Sequence, residues 1–477
     1  MRALHITPLR HFVAAWHPKE PRIDAVSGAL SEELLAGSSA KSIENSGRSD
    51  ESSELSGERS GGSEGTSGGS VAEARLLERL AAPLDACPVS YVERLRVYVA
   101  WREKEIERMR ARDPAAANVL VYSCSDTHDE TTVVGDDCGG FADRIVGVVH
   151  LFVYAVLHDL VFFVDWNVEG VQIAPQVFHS PLFNWTWDAQ VAIYEGRDVE
   201  RERHFMGCPD HGTMHRGGKA CPLMRDDPSS VTFPSKVTLT RLNKGAIRYS
   251  SDATRARLWS DLHLEEATAG GCLLRALVWP NEEVVAVFRD TALKLLDPSV
   301  ASVALHVRTG DKSMHQLAAR GSEFAIGDAY WKCAMVQARS LANASKPPRR
   351  PLVFFSTDDA RYKTEAVAHY GATKVLATDV RPYHISKMQL FWDGFPHRKE
   401  AVPVPVARLR DTFGEWWLLS LAEGGIVSSG ISGYSRTAFA FALRGSAWNI
   451  ENYEGRGLHG CTQALAQSQL AGLGGGF

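Results

Sequence analysis

Four short stretches of this chain hold residue types suited to gripping an anion. The first is His306-Val307-Arg308-Thr309-Gly310-Asp311, after an apolar run from Ser302 to Leu305 that reads as a buried strand. The period of two along a strand puts His306 and Arg308 on one face. Arg308 offers a planar fork of donors matched to a phosphate, and Gly310 lets the backbone turn closely past a ligand. The plainer alternative is an Arg308–Asp311 ion pair that ties down the loop. The second stretch, Ser356-Thr357-Asp358-Asp359, also ends an apolar run. A carboxylate there can accept from the N1–H and amino group of a guanine edge, or Asp358 or Asp359 simply caps the helix that follows. The third, Ser429 to Ser435, is a Gly- and Ser-rich turn containing Ser432, Gly433 and Tyr434. Leading into a helix, it offers free N–H groups at a positive dipole end, an anion site by construction; its plainer reading is a tight turn. The fourth, Gly140-Phe141-Ala142-Asp143-Arg144, is a glycine turn that says little alone.

Other motifs point away from competing chemistries. No Asp-x-Asp occurs to anchor a metal-bridged diphosphate, and there is no Walker A pattern. Cys208, His211, His215 and Cys221 have spacing compatible with zinc, although a loop disulfide between Cys208 and Cys221 is preferred.

Elements able to position these stretches follow from hydrophobic periodicity. Val119–Tyr122 reads as a strand, Phe141–His158 as a helix and Leu160–Val164 as the next strand, which is the unit from which parallel sheets are built. A second α/β block begins with a helix over Glu282–Leu296. Strand Ser302–Arg308, a helix over Asp328–Ala342, strand Leu352–Thr357, helix Ala360–Tyr370 and strand Lys374–Thr378 follow. A helix over Val406–Ala422, strand Ile426–Ser428 and a helix from Tyr434 complete it. Between the blocks, residues 167–285 read as irregular and rich in Trp and His; Trp166, Trp185 and Trp187 serve either as a sugar-facing surface or, more commonly for Trp, as core. Upstream, Tyr91–Arg110 reads as a surface helix leaning on the main domain.

Length and composition set the outer bounds. A chain of 477 residues exceeds one ordinary core, so two domains with appendages are expected. Residues 31–70 carry eight acidic and three basic side chains, which accounts for the net charge of −5, and they are too poor in large apolar residues to fold. The remainder is near neutral and has no basic stripe, which argues against nucleic acid. No apolar stretch is long enough for a transmembrane helix, and Met1–Trp16 matches a signal peptide poorly, so a membrane anchor is not visible. Eight scattered cysteines and the sequons Asn184-Trp185-Thr186 and Asn343-Ala344-Ser345 lean toward an oxidising compartment, the Golgi or secretory lumen.

Taken in order, Gly140-Phe141-Ala142-Asp143-Arg144-Ile145, His306 to Asp311, Ser356 to Asp359 and Ser432-Gly433-Tyr434-Ser435 resemble the motifs of the fucosyltransferase superfamily, which holds the α1,2-, α1,6- and protein O-fucosyltransferases and the plant xyloglucan enzymes. The resemblance covers roughly residues 118–445. It implies an α/β fold of GT-B type, two Rossmann-like domains facing across a cleft. Together with composition and periodicity, this gives an expected partition of 1–75 disordered or stem-like, 76–112 a helical appendage, 113–285 an acceptor-side α/β domain, 286–462 a nucleotide-sugar-side α/β domain and 463–477 a flexible tail. By position, Arg308 would contact the β-phosphate of GDP-fucose, His306 and Asp358 would lie near the guanosine, and Ser432 to Ser435 would cradle the diphosphate. The resemblance further implies inverting, metal-independent transfer with no cofactor, from GDP-fucose to a glycan or glycoprotein acceptor. Two departures leave the general base open: Asp143 stands where the plant enzymes have Asn, and His315-Gln316 replaces an acidic neighbourhood. Asp143 and His315 are the candidates. A transferase for another nucleotide sugar and a non-catalytic GDP-sugar- or glycan-binding relative are the competing expectations.

Overall fold

The computed structural model describes residues 67–125, 140–168, 171–172, 176–187, 201–204, 237–240, 252–308, 323–358, 360–380, 406–428, 432–443, 446–449 and 461–463. All of them lie within one compact unit, Gly65–Phe477. In chain order the elements are α1 Ser67–Ala81, α2 Val89–Arg110, β1 Val119–Ser125, α3 Phe141–Leu157, β2 Val161–Val168, β3 Val171–Gln172, β4 Phe178–His179, β5 Arg201–His204 and β6 Val237–Thr240. Then come α4 Asp252–Asp261, α5 Glu266–Leu277, β7 Trp279–Pro280, α6 Glu282–Leu296, β8 Val300–Val307, α7 Glu323–Ala344, β9 Arg350–Thr357 and α8 Ala360–Tyr370. The last are β10 Val375–Leu376, α9 Val406–Leu421, β11 Gly425–Ser428, α10 Gly433–Ala442, β12 Ser446–Asn449 and β13 Thr462–Gln463.

Two mostly parallel sheets result. The first runs β3-β2-β1-β6-β5 and the second β10-β9-β8-β11-β12-β13; a short antiparallel pair joins β4 to β7. Each large sheet carries a single antiparallel edge, β3 on β2 and β13 on β12. Parallel strands covered on both faces read as continuous apolar runs, and all eight residues of β8 are buried. The alternation of side chains sorts each strand between two cores. Leu120, Tyr122, Phe162 and Val164 join the main core, while Val119, Val121, Val161 and Phe163 pack with Ile106 and Met109 of α2 on the opposite face. In the second sheet Val303, Leu305 and Val307 face Tyr330, Trp331 and Ala334 of α7.

Two segments depart from the sequence expectations. Residues 167–285 are not simply irregular, because they hold α4 and α5. The helix α2 is more than a surface helix. Its stripe Tyr91, Leu95, Tyr98, Arg102, Glu105, Ile106 and Met109 is buried. Arg102 is fully enclosed and donates from Nε and Nη2 to Phe162 O at 3.3 and 3.2 Å and from Nη2 to Asn184 O at 2.8 Å. Trp166, Trp185 and Trp187 are core: all three are buried, and Trp185 Nε1 donates to Leu277 O at 3.1 Å. Disulfides Cys87–Cys272 and Cys333–Cys461 tie the α1–α2 connector to α5 and the residue before β13 to α7. The Cys208–Cys221 constellation lies outside the described residues. Among the described residues no helix is long and apolar enough to cross a membrane.

Candidate functional site

In an open parallel sheet, ligands collect beyond the carboxyl ends of strands where the strand order reverses. In the second sheet that point is β8, which has β9 on one side and β11 on the other. Register places Ser356, His306 and Ser428 side by side across the three strands, all buried. One step further on, Arg308 follows β8 and Asp358 follows β9, and both are half-buried. Beyond β11, Ser432 is the N-cap residue before α10.

Burial and hydrogen bonding make this corner polar and unfinished. The His306 ring lies 5.1 Å from the Tyr434 ring. Burial, together with the nearby Arg308 charge and against the pull of Asp358, lowers its pKa to about 4, so the imidazole is neutral near pH 7. Its Nδ1 has no hydrogen-bond partner among the described residues, and neither does the Oγ of Ser432, which is 1% exposed. Buried polar atoms are nearly always satisfied, and two that have no partner among the described residues lie at this strand-end corner. Tyr434 is fixed by its hydroxyl, which donates to Thr412 O of α9. Ser435 Oγ donates to Ser432 O at 3.2 Å, tightening the turn.

The first sheet reaches the same corner through α3. The Phe141 ring lies 5.9 Å from that of Tyr434. A Cβ at Gly433 would stand 3.1 Å from the Ala142 methyl, tighter than an ordinary contact. The first turns of α3 and α10 therefore touch. Asp143 sits in that turn of α3, half-buried, and its Oδ2 accepts from Gly140 N at 3.1 Å. That bond is the helix-capping role of an acidic third residue. Asp311, Asp359 and His315, together with Thr309 and Gly310, lie outside the described residues.

One constellation escaped the sequence reading. Glu415 of α9 is fully buried beside these strand ends. Its Oε2 accepts from Ser356 Oγ at 2.6 Å, and its Oε1 accepts from Lys363 Nζ of α8 and from Thr378 Oγ1. Lys363 Nζ also donates to Thr378 Oγ1 at 3.2 Å and to Val380 O. Burial raises the Glu415 pKa even against the opposing Lys363 charge. The signal for it was present: a single Glu inside the apolar run Phe413 to Leu421 is out of character with a buried helix face.

Comparison with known proteins separates sequence from fold. No family model matches the chain, and no curated protein does. Among solved structures, a point mutant of FUT1 from Arabidopsis thaliana in complex with GDP matches at a TM-score of 0.50 and 14% identity, covering 80% of this chain and 83% of that one. The chain has the FUT1 fold. Fucosyltransferase NodZ from Bradyrhizobium matches at 0.39 and 13% identity over 73% of this chain and 98% of its own. A NodZ α-1,6-fucosyltransferase soaked with GDP-fucose matches at 0.40 and 13% identity over 73% and 99%.

Proposed function

We propose that the chain transfers fucose from GDP-fucose to a glycan or glycoprotein acceptor, with inversion and without a metal, between two halves arranged as in GT-B enzymes. The observation that carries this reading is the corner itself. A buried neutral His306, an adjacent Arg308 and Asp358, and a helix start whose buried Ser432 hydroxyl has no partner among the described residues meet at one switch point. It gains weight from a fold shared with a protein solved in complex with GDP. In this reading Asp358 and His306 hold the guanosine, while Arg308 and the N–H groups from Ser432 to Ser435 hold the diphosphate.

Fucosyl transfer breaks the bond between the sugar carbon and the diphosphate oxygen through an oxocarbenium-like state, and the acceptor hydroxyl attacks from the opposite face. The large demand is stabilisation of the negative charge that builds on the leaving diphosphate. A guanidinium and a helix N-terminus meet that demand with groups already in place. The acceptor hydroxyl must also lose its proton. Asp143, at the meeting of the two helix starts, and His315 are proposed for that step. Two disulfides support a secretory, Golgi-type compartment.

The test is GDP release from GDP-fucose, with EDTA, over a panel of glycan and glycopeptide acceptors. Arg308→Ala should lower kcat at least about 100-fold, as removal of one positioned donor does elsewhere. A loss below about tenfold removes Arg308 from this role. Thermal shift with GDP, UDP and ADP checks the base: equal stabilisation by all three would point to another nucleotide sugar. GDP binding without release on any acceptor, and without hydrolysis of GDP-fucose, would point to a non-catalytic binder.

A further inference from the structure

The far end of α10 is gripped by α5, through groups the site described above does not use. Arg275 Nε donates to Phe441 O at 2.7 Å and Nη2 to Ala442 O at 3.0 Å, while Nη1 reaches Pro83 O at 3.3 Å. The final carbonyls of a helix have no intrahelical donor and sit at the negative end of its dipole, so a fixed guanidinium is their matched partner. Its Cζ also lies over the Phe441 ring, 5.4 Å from the centroid. One turn earlier on α5, Gly271 leaves a notch. A Cβ there would stand 2.2 Å from Ala440 O and 2.3 Å from Leu443 Cδ2, so α10 ends directly against the α5 backbone. Leu443 occupies that notch with φ 53°, the left-handed region that residues with a Cβ rarely adopt. The adjacent Cys272 is disulfide-bonded to Cys87, which fixes α5 to the connector that also supplies Pro83 O.

This grip has a consequence at the other end. The helix α10 has 10 residues, which at 1.5 Å each spans about 15 Å. A short hydrogen-bonded helix moves as a rigid rod, so displacement at Ala442 is delivered at Gly433. There, an added Cβ would already stand only 3.1 Å from Ala142, and the Tyr434 ring lies 5.1 Å from that of His306. Two bonds from one planar fork to consecutive carbonyls set both the axial position and the rotation of the rod, which a point charge such as lysine does not.

We propose that Arg275 is a positioning residue for the diphosphate-binding turn, acting along α10 from its opposite end. The inference rests on the reading of Ser432 to Ser435 as that turn. It predicts an unequal loss: displacement of α10 weakens the hold on the diphosphate, whose groups lie on α10 itself, more than the hold on the guanosine, whose contacts lie at the ends of β8 and β9 and meet α10 only through Tyr434 beside His306.

The experiment is equilibrium titration of GDP and of guanosine into the wild-type full chain, Arg275→Met and Arg275→Lys, with thermal midpoints measured in parallel. Arg275→Met should weaken GDP by about tenfold, equivalent to about 1.4 kcal/mol, while guanosine affinity stays within about twofold. Arg275→Lys, which keeps the charge but not the fork, should fall between. A lowered midpoint with an unchanged GDP-to-guanosine affinity ratio means that Arg275 is structural only and overturns the inference. If Arg275→Met does not fold, Arg275→Lys decides by the same ratio. A wild-type chain that binds guanosine and GDP equally refutes the diphosphate reading and this inference together. Strong wild-type GDP binding with unaffected variants refutes the inference alone.

Discussion

Replacing Lys363 by Met tests the buried constellation beneath the candidate site. Lys363 is 4% exposed and Glu415 0%, so neither charge is relieved by solvent. Removing one partner of such a pair typically costs about 3–5 kcal/mol, mostly because the other charge is left buried alone. Here the carboxylate keeps the hydroxyls of Ser356 and Thr378 as donors, and Met fills most of the lysine stem, so the lower end, about 3 kcal/mol, is expected. The sign of the pH dependence follows from the same burial. Glu415 already has a raised pKa, and loss of the ammonium raises it further. Between the ordinary Glu value and the raised one, the folded protein holds a proton that the unfolded chain has released. Stability therefore falls as pH climbs through that window, and the deficit of Lys363→Met is larger at pH 8 than at pH 5. Urea midpoints, converted through the m-value, measure it at both pH values. The double variant Lys363→Met with Glu415→Gln removes both charges and leaves an amide oxygen to accept from one of the Ser356 and Thr378 hydroxyls and an amide N–H to donate to the other, so it should be more stable than Lys363→Met alone at pH 8. A loss under about 1 kcal/mol at both pH values, or a double variant as destabilised as the two single losses added together, would refute the coupling.

Two further outcomes follow. His306 is held neutral with a pKa near 4 against an ordinary 6.5, so its contribution is complete above pH 6.5 and is lost as pH falls toward 4; at about 1.36 kcal/mol per unit this amounts to roughly 3 kcal/mol, and His306→Asn should flatten that part of the stability–pH curve measured by urea unfolding. Arg102→Met removes the donors that reach Phe162 O and Asn184 O from a fully buried side chain; a loss of about 3 kcal/mol in the same assay is expected, and an unchanged midpoint would show that α2 only leans on the first sheet.

The distance between sequence and structure can be followed element by element. The helix α6 was legible to the residue because Asn281 caps it, its Oδ1 accepting from Val284 N at 2.9 Å, and the apolar positions then keep helical spacing. The helix α5 was not: it falls within residues 167–285, expected to be irregular, and two of its residues are Gly270 and Gly271, poor helix formers. Gly271 is there for a contact with α10, remote in sequence, and nothing local announces it. The lone Glu415 was visible as an anomaly, but its partners Ser356, Lys363 and Thr378 come from β9, α8 and the segment after β10.

By itself, the sequence determined the alternation of buried strands and amphipathic helices, and with it the residue types stranded at strand ends: His306 and Arg308, Asp358, Ser432. Those are local consequences of periodicity and of polar groups that cannot be buried mid-strand. Only the tertiary structure decided which of those ends are neighbours, since strand order is a property of long-range pairing. It put β9 and β11 on either side of β8, brought the start of α3 against the start of α10, and sent Trp166, Trp185 and Trp187 into the core. It also gave Arg275 carbonyls at both Phe441 and Pro83 to hold, because a guanidinium can join segments that share no local pattern at all.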